Sequence, residues 1–410
     1  MNRDMLKQIM SNMDVVKELD EYGKNKLAVL MEGLLIEIMG KERYEYLLEN
    51  PKDKGNGNYK RNLNTSLGKL NLEVPRTRNG EFRSHLLPPK YQVYDESFED
   101  LIFSFLINGD SKQEITYKMK LRGLDFSQKA YDEIFEYIKS QMLEFKTKEF
   151  KKDYYFLYID AYHCMVKDLK DKRVKKAVVY TVVGIDTNTD KSLLGYYSFF
   201  GSENKSTWME VFEDLINRGL RRVLMIISDD FKGISEAIKA YFPYIDIQKC
   251  TVHLSRNIFK HVRREDASYV NKKLKEIKYS CDTFEKGLSV FQTDIIDRFK
   301  DRYKSYVKYL DSKKEEFLSF LKYPEAIRKF INSTNTVESV HSTFEKQRLR
   351  KGGFFQSIDI LNVALFIATD KLHKTWKTNP IIKAKRYELN QMFAVKFKED
   401  EFDEKLRYNR

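Results

Sequence analysis

Apolar positions recur along this chain with two periods, and the change of period divides it. Leu27, Leu30, Met31, Leu34, Leu35, Ile38 and Met39 follow the three-and-four spacing of one helix face. Residues 1–50 are therefore expected to be helical, with that face buried against another helix or a second subunit. Pro51 to Asn58 is rich in turn formers and reads as a connector. Leu70, Leu72 and Val74 then alternate with Asn71 and Glu73, as in a half-buried strand. With Pro75 to Gly80 they make 51–96 a small basic β-element. Helical spacing returns over 97–150 in three short pieces, 98–108, 112–122 and 127–145, broken by Gly109-Asp110 and Gly123 to Asp125. That arrangement resembles a helix-turn-helix, with Lys118, Lys120 and Arg122 at the basic end of its second helix.

From Tyr154 the period shortens. Residues 154–160 and 177–185 are near-continuous apolar runs, and 193–200 is a third, after the turn Asp186 to Asp190. A helix is expected over 207–220, where Trp208, Val211, Phe212, Leu215 and Ile216 share a face. A strand follows at 223–228, a helix at 234–242 and a short strand at 246–253. Three strands in hairpin order, then helix-strand-helix-strand, is the order of a ribonuclease-H-like α/β sheet, occupying 151–253. Phe284, Leu288, Phe291, Ile295, Phe299 and Tyr303 mark 254–330 as an all-helical insertion, ended near Tyr323-Pro324. The sheet domain resumes over 331–382 with a helix from Thr336. The charged tail, 383–410, is expected to fray.

Charge narrows the choice of partner. Among 410 residues, 74 Lys and Arg against 61 acids give a net charge of +13, which favours a polyanion through steering and counterion release. Cys164, Cys250 and Cys281 make no disulfide framework and point to a reducing compartment, hence the cytoplasm. No apolar run approaches the ~20 residues of a membrane helix, and the first residues lack the apolar core of a signal peptide.

Three acids carry the candidate chemistry. Asp160 closes the run Tyr154 to Ile159, and a charge after an apolar strand must be exposed or paired. Asp229 follows Val223 to Ser228 and precedes Gly233, which places it at a strand's carboxyl end, where open sheets bind ligands. Asp230 competes with it, because neighbouring strand positions face opposite ways; either could instead cap the next helix. Glu338 lies behind Ser333-Thr-Asn335, a helix-start signal. His341, Ser342 and Glu345 continue its face, Val337, Val340 and Phe344 form the opposite one, and Lys346, Arg348, Arg350 and Lys351 follow, suited to phosphates. A convergent Asp/Asp/Glu set is what two divalent ions need for phosphoryl transfer. Cys250 and His253 lack the second ligand pair of a structural zinc site. His253 therefore stands as a DNA or phosphate contact beside the acids, or as a core histidine.

These segments resemble bacterial transposases of the IS256 type, relatives of the Mutator elements. The similarity runs from about Asn58. It is carried by Tyr59 to Arg61, Leu67 to Lys69, Val74-Pro75-Arg76, Asp160-Ala-Tyr162, Gly201-Ser-Glu203 with Trp208, Arg218 to Leu220, Ser228 to Ile234, Gln248 to His253 with Arg256 and Asn257, and Thr334 to Glu338 with the basic residues through Arg350. The chain departs from the family at Phe231, Ser339 and His341. The resemblance implies a ribonuclease-H-like domain and an Asp160/Asp229/Glu338 triad, the second place going to Asp229 by its spacing to Gly233. It implies two Mg²⁺ (or Mn²⁺) ions per site, DNA cleavage and strand transfer at terminal inverted repeats, and a homodimer. Arg76, Lys118, Arg122, His253, Arg256, Asn257, His341, Lys346, Arg348, Arg350 and Lys351 are the expected DNA contacts. Another ribonuclease-H-like nuclease or integrase, and a non-catalytic DNA-binding derivative, are the alternative readings.

Overall fold

The computed structural model describes residues 23–397, apart from 67, 90–93, 96–97, 99–100, 103, 106–109, 111, 122–127 and 351. The chain forms two compact units, residues 1–140 and 141–410.

In the first unit, helix α1 (Gly23–Glu49) packs on a hairpin of β1 (Gly55–Thr65) and β2 (Gly68–Thr77). Leu70, Leu72 and Val74 are buried against Ala28, Met31, Leu35, Ile36 and Met39. This corrects two expectations. Part of the helix face, with Met31, Leu35 and Met39, meets the chain's own hairpin rather than a neighbouring helix, and Leu30, which the spacing placed on that face, is 47% exposed. The connector also yields its second half to β1, where Asn58 pairs with Pro75 across a bulge. Helix α2 (Lys112–Lys120) buries Ile115 and Met119, and α3 (Gln128–Thr147) follows it.

The second unit is built on a five-stranded mixed sheet. Its strands are β3 (Asp153–Lys167), β4 (Val174–Asp186), β5 (Lys191–Phe200), β6 (Arg222–Ser228) and β7 (Asp246–Lys249), in the spatial order β5-β4-β3-β6-β7. Strands β3, β4 and β5 are antiparallel neighbours, whereas β6 and β7 run parallel to β3. Parallel strands are covered on both faces, which is why β3 and β6 read as unbroken apolar runs. One face, with Leu157, Ile159, Val223 and Ile226, packs on α4 (Lys205–Asn217) and α5 (Ile234–Tyr241) through Trp208, Phe212 and Ile238. Asn204 starts α4, its side chain accepting from Thr207 N at 2.9 Å.

The other face, with Tyr158, Tyr162, Met225 and Ile227, is covered by α11 (Asn335–Arg350) and α12 (Ile358–Thr375). Val337, Val340 and Phe344 of α11 are fully buried there. Between β7 and α11 come α6 (Thr251–His261), α7 (Arg264–Ser280), α8 (Phe284–Phe291), α9 (Lys304–Leu318) and α10 (Glu325–Ile331). Their residues Ile277, Phe291, Phe317 and Ile327 belong to the same core as the sheet.

Three sequence expectations change here. β3 does not end at Asp160, because β4 pairs with it on to Lys167. The fifth strand stops at Lys249, and His253 lies in the first turn of α6. The tail does not fray at 383. After α13 (Pro380–Ala384), α14 (Arg386–Lys396) buries Leu389 and Phe393, Phe397 just beyond it is buried as well, Asn390 accepts from Tyr155 Oη, and Lys396 pairs with Asp246. Among the described residues no helix is long and apolar enough to cross a membrane.

Candidate active site

The last paired residues of β3 and β6 are Ile159 and Ser228. The next residues, Asp160 and Asp229, are thus neighbours where β6 leaves the sheet. Alternation puts both on the face covered by α11, alongside Tyr158, Tyr162 and Ile227. The Asp160 side chain is 11% exposed. Its Oδ1 accepts from Ala161 N at 2.9 Å and its Oδ2 lies 3.3 Å from His341 Nδ1. Asp229 Oδ1 accepts from Thr334 Oγ1 at 3.3 Å. Asp230 turns away, to Tyr309 and Lys313 of α9.

Glu338 stands in the first turn of α11, where a carboxylate complements the helix dipole. Its backbone N–H donates to Thr334 O, so Thr334 fixes the start of the helix and touches Asp229 as well. Glu338 Oε1 lies 3.9 Å from His253 Nε2 and 3.7 Å from Arg256 Nη1. On its other side, His253 Nδ1 lies 2.6 Å from Asp229 Oδ1. One imidazole thus spans two acids, and the third acid is held from α11 by His341, one turn beyond Glu338. The three carboxylates share one cleft.

The charges of Asp160 and Asp229 act on the groups around them. The Asp229 carboxylate, then Cys250, push the His253 imidazole up to about 10, against the effect of burial. Burial raises the Cys250 thiol, but the close approach of His253 and Thr334 outweighs it and brings the group below its ordinary value. Glu203 is a fourth acid beside the cleft. Burial first, then the charges of Asp160 and Asp229, raise it above the ordinary glutamate range, and Trp208 Nε1 donates to its Oε1 at 2.8 Å.

Lys249, fully buried, donates to Ser228 Oγ and Asp229 O, both at 3.3 Å, and so ties down the turn that carries Asp229. Burial lowers its ammonium to about 8. Between that value and the unfolded lysine's ~10.4, the unfolded chain binds the extra proton, so this group makes stability rise with pH across that window. Lys249→Met should abolish that part of the rise, read as the difference in urea midpoint between the two ends of the window.

The expected DNA contacts divide. Arg256 and Lys346 are exposed, as is Arg76, whose Nε donates to Asn56 O at 2.8 Å. His341 is not on an exposed polar face: it is wedged between Asp160 and Thr181, with Nε2 3.1 Å from Thr181 Oγ1. Arg348 is clamped to Glu345, whose Oε2 also accepts from Tyr162 Oη at 2.6 Å. Asn257 accepts from Tyr306 Oη at 2.8 Å, and Lys118 pairs with Asp110 at 2.6 Å. Arg350 closes α11; Arg122 and Lys351 lie outside the described residues. Sequence reading missed Thr334 and Lys249 as neighbours of Asp229. A buried lysine at the end of a short strand leaves no local pattern to find it by.

Comparison with known proteins places this architecture in a family. The family described as "Transposase, Mutator family" matches residues 2–379. The chain belongs to the Mutator family of transposases. It is similar to the transposase for insertion sequence element IS905 of Lactococcus lactis subsp. lactis (strain IL1403), at 26% identity over 82% of this chain and 85% of that one. It is also similar to that for ISRM3 of Rhizobium meliloti (strain 1021), at 26% over 98% and 99%. For the transposase of IS256 in transposon Tn4001 of Staphylococcus aureus the values are 29% over 63% and 66%. Its partner as a transposase is DNA.

Proposed function

We propose that the second unit is a ribonuclease-H-like catalytic core, and that Asp160, Asp229 and Glu338 form a DDE site that cuts and joins DNA at the terminal inverted repeats of an insertion sequence. The observation that carries this reading is the meeting of three carboxylates from β3, the end of β6 and the start of α11 in one cleft. The strand order, with its antiparallel first three strands and parallel last two, supports the fold assignment.

An all-oxygen donor set suits hard divalent cations such as Mg²⁺ or Mn²⁺, and the three acids are the residues to hold a pair of them. Bound there, such ions make a nucleophile at neutral pH and neutralise charge on the phosphate being transferred. The chain's own residues do the positioning. Lys249 and Thr334 fix Asp229, His341 fixes Asp160, and the charged His253 imidazole draws Asp229 and Glu338 together. Exposed Arg256 and Lys346 offer cations to the DNA backbone near this cleft, and the lysines and arginines of residues 55–125 and of the helical insertion hold the repeats. The protein works in the cytoplasm at the nucleoid, as a homodimer with one protomer for each element end.

The test is a strand-transfer assay on DNA ending in the element's inverted repeat. With Mg²⁺ or Mn²⁺ the expected products are a nick at the element terminus and joined strands, both lost on chelation. DNA that is bound and left intact with either ion would replace this reading with that of a binding protein.

A further inference from the structure

Beside the three acids lies a second donor set of different chemistry. Asp229 carboxylate oxygen, Cys250 Sγ and a ring nitrogen of His253 all lie within 4.8 Å of one another. Cys250 is the residue before α6 and His253 sits in that helix's first turn, so both side chains reach Asp229 from one element. The contact between His253 Nδ1 and Asp229 Oδ1 is only 2.6 Å long, yet it lacks hydrogen-bond alignment. The buried Nδ1 has no hydrogen-bond partner. An imidazole nitrogen brought this close to a carboxylate and a sulfur is placed to give up its proton and become a ligand.

We propose that Asp229, Cys250 and His253 form a binding site for a thiophilic divalent cation of the zinc class, distinct in chemistry from the all-carboxylate set and in competition with it for Asp229. Sulfur and imidazole select such an ion over Mg²⁺. Its surroundings are suitable. Thr334 N donates to Cys250 Sγ at 3.4 Å, which favours the thiolate. Behind the imidazole, Nε2 faces Glu338 Oε1 at 3.9 Å, the carboxylate backing that orients many metal-bound histidines. Asp229 and His253 are each about a third exposed, so an ion can reach the set from solvent. Binding exchanges the Cys250 thiol proton and one His253 ring proton for the cation and releases both to solvent.

The consequence is inhibition. An ion held here engages Asp229 and neutralises it, and the Mg²⁺-dependent reaction loses one of its three carboxylates. This consequence rests on the proposed DDE function, whereas the binding itself does not.

The binding test uses Co²⁺ alone as an optical probe on the full-length, chelator-treated protein. The expected result is one Co²⁺ per chain with a thiolate-to-cobalt charge-transfer band, displaced by Zn²⁺. Cys250→Ser removes the band, while Cys164→Ser and Cys281→Ser keep it. His253→Gln, at a partly exposed position where folding is not at stake, weakens Co²⁺ binding about tenfold or more. Circular dichroism compares each variant's folding with the parent's. A parent without the band, or a band that survives in Cys250→Ser, overturns the site. In the cleavage assay, Zn²⁺ should inhibit the parent at a concentration at least tenfold below that needed for Cys250→Ser, and equal sensitivity overturns the competition. If the parent never cleaves DNA, the functional reading fails and the cobalt band still decides the site.

Discussion

Asp160→Asn should lower metal-dependent DNA cleavage by about three orders of magnitude, the effect of losing roughly 4 kcal/mol of transition-state stabilisation at a metal-held phosphoryl centre. The substitution keeps the shape of the side chain and removes only its charge. The amide can still accept from Ala161 N and still face His341, so β3 and α11 should pack as before. DNA binding, which depends on the surface cations, should stay within about twofold by electrophoretic mobility shift. Strand joining should fall with cleavage when the substrate is supplied uncut, and should remain low on pre-cut ends. Cleavage at the parental rate by a folded Asp160→Asn protein would remove Asp160 from the chemistry, and the triad with it.

Trp208→Ala should cost about 3–5 kcal/mol of stability, the range for deleting a buried tryptophan side chain. Trp208 is 1% exposed. Its indole meets Tyr180 edge-on at 4.7 Å between ring centres and stacks with Phe212 at 5.7 Å, so truncation leaves a hole between α4 and the sheet. Chemical denaturation of the full chain measures it, as a fall in the midpoint at constant slope. Trp208→Phe separates two roles. It fills much of the hole and should restore most of the stability, but it cannot donate to Glu203. Any loss of cleavage that persists in Trp208→Phe then belongs to the orientation of Glu203, the acid that feels the charges of Asp160 and Asp229.

The order of strands and helices in the second unit was readable because buried strands leave near-continuous apolar runs. Residues 223–228, for example, allow little else. The apolar face of α11 was readable from Val337, Val340 and Phe344 for the same reason. Other features depended on contacts that no local pattern carries. Asp160 looked like a strand end because β6 stops pairing one residue before it, while β4, on the other side, continues. Thr251, Val252 and His253 looked extended, but Cys250 N donates to Ser228 O and the chain then turns into helix. His341 looked solvent-facing because it follows Glu338 by one turn; its surroundings come from β3 and β4, far back in the chain. The last helix was hidden by its charges, of which Lys396 is matched only across the fold by Asp246.

Helices α6 to α10 separate the second aspartate from the glutamate along the chain, and they build the core beneath both. The ribosome therefore delivers the third acid late. A growing chain, or a fragment broken off before α11, carries Asp160 and Asp229 but cannot complete the cleft. On the proposed DDE reading, premature termination anywhere in that long helical stretch leaves a product without its third carboxylate, and the host genome meets a cutting protein only after α11 has been made.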